Sequence, residues 1–90
     1  MSKAIRIKMK RNCYYSQKLE EIDSILLEGE FNGWLKKETI HDYIKNTNAI
    51  IKVNIAPYPT LVAVTTPTER YVRSKSNDHG YDNLLELPRE

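Results

Sequence analysis

The sequence predicts an α+β fold: a small, mainly antiparallel β-sheet with one helix packed on one face, in the order β-β-α-β-β-β. Three observations carry that expectation. Residues 5–10 alternate strictly between apolar and basic side chains, the period-two signature of a half-buried strand. Residues 37–46 hold an uninterrupted helical pattern. Short β-rich runs broken by prolines follow them. One helix laid over one face of a sheet is the economical way to bury both.

In the first strand, Ile5, Ile7 and Met9 are expected to face a core, and Arg6, Lys8 and Lys10 to face water. Residues 12–17 read as a loop carrying two adjacent tyrosines, Tyr14 and Tyr15. Residues 19–30 fit two patterns. Leu19, Ile22, Ile25 and Leu26 match helical spacing, whereas a run ending in Phe31-Asn32-Gly33 matches a strand entering a turn. In the helix, Ile40, Tyr43 and Ile44 form an apolar face at i, i+3, i+4. Neither Lys36 nor Lys37 offers an N-cap, while Asn46 and Asn48 suit the C-terminal end because asparagine tolerates the left-handed conformation there.

Residues 49–55 are β-rich, and Pro57-Tyr58-Pro59 breaks them. Residues 60–66 are apolar on both faces, Leu61 and Ala63 on one and Val62 and Val64 on the other, which predicts a central strand. Pro67-Thr68-Glu69 makes a turn, and residues 70–74 return as the hairpin partner. A polar loop follows, then a helical turn at residues 82–88 that docks Leu84, Leu85 and Leu87 on the core.

The 90 residues, 40% hydrophobic and 29% charged, make one small α+β domain spanning residues 1–90. No apolar run approaches the roughly 18 residues that a membrane span needs, and the N-terminus lacks a signal-peptide apolar segment. With the single cysteine Cys13 and no disulfide, the chain is expected in the cytoplasm, with no membrane contact. The net charge of +2 is unevenly spread. Residues 1–18 carry six basic residues and no acid, and the remainder has eight basic and twelve acidic residues, a net −4.

Tyr71-Val72-Arg73-Ser74, followed by Asn83-Leu84-Leu85-Glu86-Leu87-Pro88, resembles the tail of the family of small bacterial and phage proteins catalogued as domain of unknown function 3892. Trp34 before the helix, Ile40 and Ile44 within it, and the apolar residues at 50–53 and 62–64 are similar too. The similarity spans about residues 22–88 and is distinctive in the last twenty or so. It favours a strand over residues 22–28. It implies a small α+β fold, often of phage or prophage origin, and no activity. This chain departs from the family pattern at Lys36, where a Ser or Thr cap is usual, and at Asn46 or Thr47, where glycine is expected. Physically the tail motif reads as packing, with Asp82 or Asn83 capping the turn and Pro88 stopping it.

Candidate chemistry is sparse. Asp78, His79 and Asp82 place two carboxylates and an imidazole within five residues, but a metal site usually needs three or four ligands and no separated second group is evident. Cys13 could act as a nucleophile with His41 or His79, but no motif surrounds it and no Gly-rich phosphate loop exists. The expectation is a non-enzyme without cofactor. Six tyrosines and one tryptophan exceed what a thin core hides, so the leading expectation is a protein-interaction module with an unidentified protein partner. An open sheet edge would also allow a homodimer. The alternative is nucleic-acid binding by Arg6, Lys8, Lys10, Arg11, Tyr14 and Tyr15, joined by Arg73 and Lys75 if their strands are neighbours.

Overall fold

The first strand, β1 (Ser2–Met9), is the centre of the molecule. In the computed structural model, which describes residues 2–75 and 82–90, β1 lies in a four-stranded sheet of order β3-β2-β1-β4. Here β2 is Ile22–Glu28, β3 is Gly33–Lys36 and β4 is Ile51–Val53. The β1–β2 and β2–β3 pairs are antiparallel and β1–β4 is parallel. The helix α1 (Lys37–Thr47) follows β3 directly, and β5 (Leu61–Thr65) and β6 (Arg70–Ser74) form a separate antiparallel hairpin. The fold class is α+β, as the sequence predicts, with one strand more than expected before the helix.

Alternation alone does not determine which side chains of β1 enter the core. Ala4 pairs with Leu27 and Arg6 with Leu26, so Ile5 is an extra residue, a β-bulge. The bulge changes the phase: Ser2 and Ala4 point inward before it, Ile7 and Met9 after it, and Ile5 is left half-buried. The core gathers Ala4, Ile7, Ile22, Ile25 and Leu27 of the sheet, Ile40 of α1, Leu61 and Val72 of the hairpin, and Leu84, Leu85 and Leu87 of the tail. It lies on one side of the sheet. Beyond β4, the tail extends the sheet along β1, where the Ile7 N–H donates to the Pro88 carbonyl and the Glu90 N–H to that of Ile7, both at 3.0 Å.

The buried face of α1 differs from the expected one. Tyr43 is 47% exposed. Lys37 and His41, 1% and 2% exposed, take inward positions with Ile40. The i, i+3, i+4 frame holds, but two of its members are polar and satisfied by neighbours on α1 itself and on the hairpin. Asn48 closes the helix in the left-handed conformation (φ 56°), and its N–H donates to the Ile44 carbonyl.

A central place for β5 is also corrected. Its ladder partner is β6, and its link to the main sheet is one bridge, Lys52 to Thr60. The Val53 N–H donates to the Pro59 carbonyl at 2.8 Å, but proline has no N–H to carry a ladder onward. Val62 and Val64 therefore face outward beside Arg73 and Tyr71, all four half-buried.

Candidate nucleic-acid interface

The side of the main sheet away from the core gathers positive charge from several strands. Because Ile25 and Leu27 point inward, Leu26 points outward, and its neighbours across the ladder are Arg6 on β1 and Trp34 on β3. The adjoining row is Lys8, Ser24 and Lys36. A third row sets Lys52, Lys3 and Glu28 side by side. Lys3, Arg6, Lys8, Lys36 and Lys52 are all exposed, and Trp34 is 38% exposed at the edge.

Two acids belong to this face, Glu28 and the half-buried Asp23, whose carboxylate accepts from Lys36 Nζ at 2.9 Å. Five cations against two anions give the face a net +3, whereas the other nine basic and ten acidic residues give −1. Lys3 and Lys52 lie in register on neighbouring strands, a like-charge pairing that Glu28, in register with Lys3 on its other side, offsets in part. Beyond β4, Tyr58 lines a shallow groove with Lys3, Lys52 and Asn54.

Of the residues expected to bind nucleic acid, Arg6 and Lys8 lie on this face. Lys10 does not. Its Nζ turns to Glu69 at 3.4 Å, joining a cluster in which buried Lys37 meets Glu38 at 3.1 Å and Glu69 at 3.7 Å. Arg11 is exposed in the turn after β1. Tyr14 and Tyr15 stand edge-to-face, 4.9 Å between ring centres, in a loop tied to the tail by Arg89, which donates to the Tyr14 and Ser16 carbonyls. Arg73 lies on β6 and Lys75 just after it, on a hairpin whose strands do not pair with β1. The tail motif serves packing: Asn83, Leu84, Leu85 and Leu87 are buried, Tyr71 is half-buried, and the Pro88 carbonyl is bonded to β1.

Sequence reasoning missed Lys3, Lys36, Lys52 and Trp34. The signals existed, since Trp34 and Lys36 alternate with Leu35, and Lys52 is flanked by Ile51 and Val53. What joins them is pairing between strands distant in sequence.

The catalytic candidates are engaged elsewhere. Cys13 Sγ donates to Glu21 Oε2 at 3.2 Å, and Ser16 donates to the other carboxylate oxygen. That hydrogen bond, together with burial and the Glu21 charge, pushes the Cys13 thiol up from its ordinary value, against thiolate formation. His41 Nδ1 lies 2.8 Å from Asp42 and Nε2 2.8 Å from the Thr65 hydroxyl. An ionised Asp42 carboxylate can only accept, so His41 Nδ1–H donates to it. Arg70 holds Asp42 from the hairpin, and the chain of contacts locks α1 to β5 and β6. Asp82 accepts from Ser74 and from the Leu84 N–H. Asp78 and His79 lie outside the described residues. Among the described residues, no group of three or more His, Cys, Asp or Glu is placed to hold a metal ion, and no helix is long and apolar enough to cross a membrane.

Comparison of the chain with protein-family models, curated proteins and solved structures finds no match in any of the three.

Proposed function

We propose that this protein is a non-enzymatic binding module that takes nucleic acid on the outward face of its four-stranded sheet. The observation that supports this reading is the segregation of charge: a +3 face on a chain whose remainder sums to −1. Phosphates neutralised by Lys and Arg release counterions, so such binding weakens steeply with salt. If four or five phosphates are engaged, log K should fall against log salt with a slope of about −3 to −4.

The test is fluorescence anisotropy of a labelled oligonucleotide from 50 to 300 mM salt, with the doubly substituted Arg6→Gln/Lys8→Gln chain beside the wild type. The double substitution should weaken binding and flatten the slope by one to two. Lys45→Gln, a neutralisation on the exposed side of α1, should change neither. A salt-independent affinity, or equal loss from Lys45→Gln, would count against the proposal.

A protein partner is the second reading, supported by the outward side of the hairpin, where Val62, Val64 and Tyr71 are half-buried beside Arg73. Apolar, aromatic and arginine side chains together are usual anchors of protein interfaces. Binding of that kind should fall on Val64→Ser and Tyr71→Ser and tolerate neutralisation of Arg6 and Lys8.

A further inference from the structure

We infer that the nucleic acid bound is single-stranded and that Trp34 is the surface on which a base stacks. The inference rests on the nucleic-acid reading above and adds the class of strand. Neighbouring strands lie about 4.8 Å apart, so the outer strands of a four-stranded sheet are about 14 Å apart. A B-DNA major groove is about 12 Å wide and admits a helix or a two-stranded ribbon. The sheet is too broad to enter it. Nor is α1 suited to reading a groove, because its exposed and half-exposed side carries Glu38 and Asp42 against the single cation Lys45.

A single strand meets neither obstacle. Laid across the sheet from β3 to β4, it would pass Trp34, then Leu26 and Arg6, then Lys3 and Lys52, with Tyr58 beyond. That path of about 14 Å suits roughly three or four nucleotides, the short end of single-strand site sizes. Arg6, Lys3 and Lys52 lie between the two aromatic residues, so phosphates would bridge the middle while bases stack at either edge. Trp34 is the aromatic side chain on the face itself, adjoining Leu26, which extends the flat apolar surface under a base. Stacking needs a base whose face is free, and a duplex offers none along its length.

The experiment compares a 12-nucleotide oligo-dT and oligo-U with a 12-base-pair duplex at 50 mM salt. Anisotropy of the labelled nucleic acid is read together with the intrinsic fluorescence of Trp34, the only tryptophan in the chain. Binding of either single strand should quench that fluorescence and exceed duplex affinity at least fivefold. Trp34→Leu, which keeps an apolar residue at the edge, should weaken single-strand binding by about 5- to 100-fold and leave duplex affinity unchanged. Trp34→Phe should recover most of the loss, and circular dichroism would check that each variant is folded. Equal affinity for duplex and single strand without quenching would overturn the single-strand inference and leave the nucleic-acid reading standing. No binding to any of the three would overturn both.

Discussion

Replacing Asp82 by alanine should be among the most damaging single changes outside the apolar core. The Asp82 carboxylate accepts from the Ser74 hydroxyl at 2.6 Å, the Ser74 N–H at 3.1 Å and the Leu84 N–H at 2.9 Å. It thereby caps the turn at Asn83–Glu86 and ties that turn to the last residue of β6. Losing a cap costs about 1 kcal/mol, and losing a hydrogen bond to a charged acceptor about 1.5–3 kcal/mol. Ser74 is 4% exposed, so water cannot readily replace the lost acceptor. The three donors share one carboxylate and their costs do not add in full; about 3 kcal/mol is expected. In a domain of this size each kcal/mol shifts Tm by about 4–8 °C, which gives a fall of roughly 12–24 °C. Asp82→Asn keeps one carbonyl acceptor and should lose about half as much. Thermal and urea unfolding followed by circular dichroism measure both. An alanine variant within about 0.5 kcal/mol of wild type, or an asparagine variant no better than alanine, would refute the assigned role of the carboxylate.

Lys37→Met should leave stability within about 1 kcal/mol of wild type or raise it, because a well-packed apolar side chain often replaces a buried ion at no net cost. Glu69→Ala, which strips an acid from both Lys10 and Lys37, should destabilise by about 1–3 kcal/mol, and urea midpoints would show whether that order is inverted. Cys13 should alkylate with iodoacetamide at pH 7.5 more slowly than a free thiol, since its bond to Glu21 holds the proton; Glu21→Gln should accelerate it several-fold, and an unchanged rate would deny Glu21 that role. On acidification, Asp42 is held low by its bonds to His41 and Arg70, and Asp23 by those to Ser24 and Lys36. A carboxylate depressed in the folded chain adds stability above its ordinary value near pH 4 and loses it as pH falls through the folded value. The urea midpoint should therefore be level from pH 7 to about 5 and drop below about 4, less steeply in Asp42→Asn; a midpoint that rises in acid would contradict these contacts.

Local periodicity and turn chemistry are legible in the residues themselves. The alternation in residues 5–10 marks a strand, Ile40 and Ile44 mark the inward side of a helix, Asn48 closes it, and Pro67 to Glu69 turn one strand onto the next. The same alternation places two cations of the candidate interface, Arg6 and Lys8, on one side of one strand. The rest follows from contacts between segments distant in the chain. The bulge at Ile5 is invisible in a pattern whose next residues alternate perfectly, because a bulge is defined by the partner strand. Nothing in the local pattern buries Lys37 and His41; their burial depends on Glu69, Thr65 and Asp42 as partners. The four residues of β3 are too few to declare a strand alone. The outward face brings together Lys3, Arg6, Lys8, Trp34, Lys36 and Lys52 from three separate stretches of chain. Side-chain hydrophobicity sets which way each residue points within its own element. Which elements become neighbours depends on closing long loops around one shared core, and no local pattern encodes that choice.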